Sequence, residues 1–462
     1  MLSGFLDPTS TLAIVLQVAI ILFCLLLGTR YGGIGLGLIS GLGLMVLVFL
    51  FGLVPGEPPV SVMLTIIAVI GCASTLQQSK GLDVMMQFAE RLLRTKPHLI
   101  TILAPLTTWT LTVLCGTGHV VYTMFPIIED IAVKKKIRPE RPMAAASTAA
   151  QMGITASPVS VATVSLASIL AEKAGVIDQA FSIPQILSVA LPASLSGVLL
   201  AALWSTRRGK DLDDDPEFQQ RLQDPEFAET MRSGNTSLLS QTFNTSAYRA
   251  VAVFFSAIAV VVLLGAVEGL RPSFPTEDGV MKPLSMNLVI QMVMLVAGAI
   301  ILLWCEVDKT KIANTTVFKA GMTAVFSVFG VAWMADTFFS THIDALKDGL
   351  GDVVASAPWT YALVLLIVSK LVNSQAAALV AIAPLGLSLG VDPVLIVGFY
   401  GAAYGYWILP TYPSDLACIG FDRTGTTRIG KFVINHSFLI PGAISVATSC
   451  VVGSLLAQLI LG

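Results

Sequence analysis

Charge is scarce in this chain: Asp, Glu, Lys and Arg make up 12% of its 462 residues, about half the roughly 25% of ordinary soluble domains. With 55% hydrophobic residues, too little polar surface is left to face water, and a bilayer is the natural solvent. The formal net charge is -2, so the basic footprint of nucleic-acid binders is missing and no DNA or RNA partner is expected. No Walker A loop occurs, which excludes an ATP-driven pump within this chain alone. Neither an HExxH zinc motif nor a GxSxG elbow is present. Six cysteines (Cys24, Cys72, Cys115, Cys305, Cys418 and Cys450) stand singly in apolar runs, without the paired spacing of a zinc or redox centre. They read as small packing residues, and neither a metal nor a cofactor is expected.

What is abundant is apolar run. A spanning helix needs about 20 apolar residues, and that ruler gives spans near 11–29, 33–54, 61–79, 142–172 and 184–206. A second set follows near 248–267, 284–305, 320–341, 394–421 and 432–461. Segments 98–132 and 359–390 are too long for one helix and too short for two ordinary spans, and each has a polar, small-residue break at its centre. Both read as re-entrant hairpins. Residues 81–96 alternate Leu82, Met85, Met86, Ala89, Leu92 and Leu93 with charges at helical spacing, the pattern of an amphipathic helix at the membrane interface. Gly33, Gly37 and Gly41 lie at small-xxx-small spacing inside a span, a signature of close helix packing.

The chain also repeats itself. Gly71, Pro97, Pro126 and Pro158 recur as Gly330, Pro358, Pro384 and Pro413, at offsets of 259, 261, 258 and 255. Lys80, Arg91, Arg94 and Lys96 precede the first hairpin, and Lys134, Lys135, Lys136, Arg138 and Arg141 follow it. Its partner is flanked by Asp344, Lys347, Asp348, Asp352 and Asp392. By the positive-inside rule the two hairpins enter from opposite faces. The expected fold is therefore an all-α polytopic membrane protein of two inverted repeats, each with five transmembrane helices plus one re-entrant hairpin with a broken helix. Residues 1–206 form the first repeat, 207–247 a cytoplasmic linker and 248–462 the second repeat, with both termini periplasmic. Inverted repeats that meet at mid-membrane are the usual build of secondary transporters.

Each half carries two irregular elements in the same order. The first half has the tip Cys115, Gly116, Thr117, Gly118 and His119, then the break Gly153, Ile154, Thr155, Ala156, Ser157 and Pro158. The second has Val372, Asn373, Ser374 and Gln375, then Leu409, Pro410, Thr411, Tyr412, Pro413, Ser414 and Asp415. Irregular backbone is tolerated in lipid only where it is buried in protein or lines a cavity. Half-helix N-termini with free N–H groups suit a carboxylate, and two facing half-sites suit a dicarboxylate. Exposed carbonyls at the same breaks equally suit sodium. Charges within spans are functional candidates by default. Lys370 is the best single anchor for an anion. Asp415 reads as a partner of Lys370, a proton carrier or a helix cap. Asp336 reads either as an interior pair or as a near-surface charge, and Arg141 as a snorkelling topogenic charge.

The runs CGTGHVVYTMFPII (Cys115 to Ile128), IRPERPMAAAS (Ile137 to Ser147), QMGITASPVSVA (Gln151 to Ala162), SKLVNSQAAAL (Ser369 to Leu379), YGYWILPTYPSDLA (Tyr404 to Ala417) and FDRTGTTRIGKFVINHSF (Phe421 to Phe438) resemble the anaerobic four-carbon dicarboxylate transporter (Dcu) family, closest to its DcuB-type branch. The resemblance covers nearly the whole chain and departs from the family at residues 1–10 and in the linker. It implies a bacterial inner-membrane antiporter that takes up fumarate, malate or aspartate and releases succinate in anaerobic fumarate respiration. It also implies elevator-type motion and, as in some family members, a membrane sensor kinase as partner. A proton- or sodium-coupled symporter or uniporter, an intramembrane enzyme using His119, Asp336 or Asp415, and a sensor partner are the competing readings. The oligomeric state stays open, a homodimer included.

Overall fold

The computed structural model describes residues 7–31, 34–172, 181–232, 237–275, 281–410, 412–430 and 435–462. Three apolar helices, α1 (Thr11–Tyr31), α2 (Gly35–Phe49) and α3 (Val60–Gln78), are followed by the amphipathic α4 (Gly81–Thr95). Helices α5 (Ile100–Cys115) and α6 (Val121–Lys134) form the first hairpin. The first broken span consists of α7 (Glu140–Thr155) and α8 (Val161–Glu172), and α9 (Ile183–Ser205) completes the half. Two short helices, α10 (Pro216–Arg221) and α11 (Pro225–Arg232), interrupt the linker. Then come α12 (Thr245–Ala266), α13 (Met286–Trp304) and α14 (Thr316–Ser356), the second hairpin α15 (Thr360–Val372) and α16 (Gln375–Ser388), the pieces α17 (Pro393–Gly398) and α18 (Pro413–Phe421), and finally α19 (Leu439–Ile460). Among the described residues, eight helices are long and apolar enough to cross a membrane.

These helices pack as two bodies. In one, α3 lies on α13, α2 on α14, α1 on α2 and α12 on α13. In the other, α9 lies on α19, α5 on α7, α7 on α9, α8 on α16 and α6 on α18. Each half sends its first three apolar helices to the first body and its hairpin, broken span and last helix to the second. The bodies meet where α3 touches α8 and α14 touches α16.

With no hydrophobic drive between helices in lipid, close approach must come from small residues. Gly37 and Gly330 supply it at the crossing of α2 and α14. A Cβ on Gly37 would stand 1.9 Å from the Phe326 carbonyl oxygen, and one on Gly330 2.0 Å from the Gly37 oxygen. Gly41, at the same spacing, meets nothing within 4 Å, and Gly33 lies outside the described residues.

Several boundaries differ from expectation. The span expected at 33–54 is helical only over Gly35–Phe49, and that expected at 320–341 belongs to a 41-residue helix. The span at 394–421 is helical only in its two end pieces, with short 3-10 turns at Tyr400–Ala403 and Tyr406–Ile408 between them. The span expected at 432–461 begins as helix at Leu439, because the preceding segment turns back on itself through an Ile429–His436 bridge. An antiparallel ribbon, β1 (Ser273–Pro275) with β2 (Met281–Pro283), is added to an otherwise helical chain. Apolar composition alone reads such segments as membrane helix, since periodicity does not report hydrogen bonding.

The linker is docked rather than loose. Asp215 pairs with Arg138, and Asp211 lies 2.7 Å from Arg141. Glu217 lies 2.8 Å from Arg428, and Arg221 donates to the Thr424 carbonyl at 2.7 Å. Arg141, expected to snorkel, also holds the Arg208 and Gly209 carbonyls at 2.6 and 2.9 Å.

Candidate functional site

Both hairpins turn by the same backbone device. Helix α5 ends in a left-handed residue, Gly116 (φ 73°), and the next residue, Thr117, is extended and uses its hydroxyl to accept from His119 N–H. Helix α15 ends in left-handed Asn373 (φ 48°), and extended Ser374 accepts from Ala377 N–H. A left-handed residue stops a helix by turning the chain away from its axis, which Gly does without strain and Asn tolerates better than other residues. The hydroxyl that follows then caps the next helix. Gly116 is doubly constrained, because a Cβ there would stand 2.8 Å from the Val159 carbonyl oxygen.

The two tips wall one cavity of about 150 Å³, beside Val69, Ile70 and Ala73 of α3 and Gly321 of α14. This is ample for several waters or one small solute. Val69 to Ala73 is the middle of α3, so the tips reach the middle of a helix of spanning length. Gly116, Thr117, Gly118, His119, Asn373, Ser374 and Gln375 line the cavity, with Tyr406 and Tyr412 stacked at 4.2 Å on its wall. No Lys, Arg, Asp or Glu is among these lining residues. The polarity comes from the start of α16, where no helical carbonyl serves the N–H groups of Gln375 and Ala376, and from the turn into α6. Helix N-termini attract anions. His119 faces the cavity and holds the Thr117 hydroxyl at 2.8 Å through Nδ1.

Behind the wall, one residue ties the elements together. Gln151 of α7 accepts from the Tyr406 hydroxyl at 2.7 Å, and its carbonyl accepts from Gln375 Nε2 at 2.8 Å. Its Nε2 lies 3.4 Å from the Ser414 hydroxyl, and it sits so close to Gly118 that a Cβ there would be 2.7 Å away. Gln151 and Tyr406 were not among the residues singled out from sequence, and Tyr412 was read only as part of the second break. A buried Gln inside an apolar helix and tyrosines in a Gly/Pro-rich run were the available signals.

The remaining candidates stand off the cavity. The Thr155 hydroxyl donates to Met152 O at 2.8 Å, the Ser157 hydroxyl accepts from Val159 N–H at 3.3 Å, and Pro158 is buried; none of the three lines it. From that break Ile154, Val159, Val161 and Ala162 reach the wall instead. Lys370, in the last turn of α15, donates to Asn373 Oδ1 and to the Leu409 carbonyl, both at 3.2 Å. It thereby fixes the second tip to the second break. Pro413 opens α18, and Asp415 lies in its first turn. The fully buried Asp415 accepts from Ser147 at 2.8 Å, while its Oδ2 has no hydrogen-bond partner among the described residues. Tyr412 occupies the N-cap position of α18 and makes no side-chain capping bond, and Asp415 lies inside the first turn, so Asp415 is not the cap residue. Thr411 lies outside the described residues. Asp336 accepts from Glu57 N–H at 2.9 Å and, with Thr337 and Trp333, clamps the Gly56–Glu57 loop.

Two interlocked helical bodies of membrane-spanning length, with helix N-termini from both hairpins facing a cavity at mid-helix depth, fit the build of multi-pass membrane transporters. The family model for anaerobic C4-dicarboxylate membrane transporters matches residues 13–461, and the chain belongs to that family, on its DcuB-type branch. It is 53% identical over 444 residues to the anaerobic C4-dicarboxylate transporter DcuB of Escherichia coli O157:H7, covering 96% of this chain and 98% of that one. It is 38% identical to the C4-dicarboxylate transporter DcuA of Escherichia coli K12, covering 97% of this chain and all of that one. In fold it is similar to the YdaH transporter of Alcanivorax borkumensis, with a TM-score of 0.57 at 15% identity and coverage of 97% and 98%. The MtrF structure of Neisseria gonorrhoeae gives 0.54 at 11% identity, covering 98% and 96%.

Proposed function

We propose that the chain exchanges C4-dicarboxylates across the bacterial inner membrane, taking in fumarate, malate or aspartate and releasing succinate during anaerobic fumarate respiration. The substrate is held between the two tips. The carrying observation is that Gly116–Thr117 and Asn373–Ser374 repeat one turn geometry and face one cavity. A dicarboxylate fits that arrangement: one carboxylate at the N–H groups opening α16, the other at the turn into α6, with Lys370 supplying positive charge one layer behind Asn373. The division into two bodies supports an elevator, in which the body carrying both hairpins and both broken spans slides past α1–α3 and α12–α14. The equal contributions of the halves favour inverted repeats at residues 1–206 and 248–462, joined by a cytoplasmic linker, with both termini periplasmic. Proteoliposomes loaded with succinate are expected to take up labelled fumarate, and Lys370→Ala to reduce that uptake by about tenfold or more, the loss of one charged hydrogen bond of about 1.5–3 kcal/mol. Absence of uptake by the unaltered protein would overturn the reading.

A second reading, cation-coupled symport, is favoured by one observation. The buried Asp415 carboxylate has an oxygen without a hydrogen-bond partner among the described residues, a suitable place for a proton or a sodium ion. Equal uptake into empty and succinate-loaded vesicles would select it over exchange.

A further inference from the structure

The face shared by α12 and α13 carries a groove of about 550 Å³ far from the tips, walled by Ala252, Ser256 and Val260 on one side and Val293, Val296 and Ile300 on the other. At one end the Arg249 guanidinium lies 5.5 Å from the centre of the Trp304 ring. We propose that this groove binds one anionic phospholipid, with its phosphate at Arg249 and one acyl chain laid along the trough.

Three independent features fit that occupant. The first is length. From Arg249 to Val260 the helix rises about 16 Å at 1.5 Å per residue, close to one leaflet of a hydrocarbon core roughly 30 Å thick. The trough therefore runs from headgroup level to the bilayer middle. The second is charge. Arg249 has no carboxylate within salt-bridge distance among the described residues. A cation at the lipid boundary with no acid of its own is matched by an anionic headgroup. The third is the company it keeps. Trp304 and Tyr248, both exposed, form an aromatic edge beside Arg249, as expected where chains meet headgroups.

A second copy of the chain fits less well. A two-fold interface about an axis normal to the membrane is isologous. It would hold two Arg249 side chains at one depth in one seam, where their like charges repel.

The test uses purified full-length protein exchanged into neutral detergent, with bound lipid counted by native mass spectrometry after adding phosphatidylglycerol or phosphatidylcholine. The unaltered protein should retain one phosphatidylglycerol with a preference of roughly fivefold, the weight of one basic side chain at an anionic surface. Arg249→Gln should bring the preference near one, Arg249→Lys should keep it, and Ser256→Trp, on the exposed side of α12, should lose both lipids. Equal retention of the two lipids by the unaltered protein, or a preference unchanged in Arg249→Gln, would overturn the proposal. So would disulfide-linked dimers of Ser256→Cys forming in the presence of phosphatidylglycerol, which would assign the groove to a second copy.

Discussion

The two hairpin tips share a backbone and differ in chemistry. At the first, the left-handed residue is a glycine wedged against Val159, and the nearest polar side chains, Thr117 and His119, bond to each other. At the second, the left-handed residue is an asparagine whose side chain is held by Lys370, which also holds the second break at Leu409. The broken spans divide the same way. Thr155 and Ser157 spend their hydroxyls on their own backbone, whereas Tyr406, Ser414 and Asp415 reach across to Gln151 and Ser147 of the first half. One half supplies shape and backbone donors, and the other adds charge and cross-links. A duplicated backbone can thus be kept for geometry while one copy alone acquires the electrostatics.

Exchanging the tips should break the likeness most sharply. Gly116→Asn keeps a residue that tolerates the left-handed turn but drives a Cβ against the Val159 carbonyl, an overpacking cost of about 1–3 kcal/mol. Asn373→Gly keeps the turn and loses the hydrogen bond that Asn373 accepts from the Lys370 ammonium, a charged one of about 1.5–3 kcal/mol. Thermal stability is expected to fall comparably in both variants, and fumarate uptake further in the first, because the displaced Val159 also walls the cavity. Equal losses of uptake would mean that the two tips are interchangeable.

Gln151→Leu comes next. It deprives the Tyr406 hydroxyl of its acceptor while leaving the backbone carbonyl that Gln375 uses. A buried group left without a partner costs about 1–3 kcal/mol. Because the tyrosine wall shapes the cavity, the expected result is a KM raised severalfold with a smaller change in kcat. Unchanged kinetics would separate this network from the substrate. The smallest effect belongs to Ser157→Ala. Losing one local hydrogen bond to a neutral hydroxyl costs about 0.5–1.5 kcal/mol of stability, and uptake per folded molecule should match the unaltered protein. A transport defect there would give the Ser157 hydroxyl a part in substrate handling.

The tips were legible in the sequence because Gly116, Thr117, Asn373 and Ser374 are turn and cap residues stranded in apolar runs, and lipid leaves such residues few structural excuses. The role of each hydroxyl was not legible. Thr155 and Thr117 look alike as letters, yet one lies inside a helix turn that offers it a carbonyl and the other follows a left-handed residue that turns it towards the opposite half. Gln151 was hidden for a related reason: its neighbours are up to 263 residues away, and no local pattern encodes them. The docking of the linker was not legible because the partners of Asp211, Asp215 and Glu217, namely Arg141, Arg138 and Arg428, lie elsewhere in the chain. The late start of α19 was missed because an apolar segment and an apolar helix have the same composition.

The most direct measurement is a double-mutant cycle on substrate affinity, with calorimetric titration of fumarate into purified protein carrying Thr117→Ala, Asn373→Ala or both. If one dicarboxylate bridges the tips, each single substitution should weaken binding by about fivefold or more, roughly one hydrogen bond. The double variant should then depart from additivity, as groups that share a partner do. Affinity that survives both substitutions unchanged would contradict a substrate held between the hairpins.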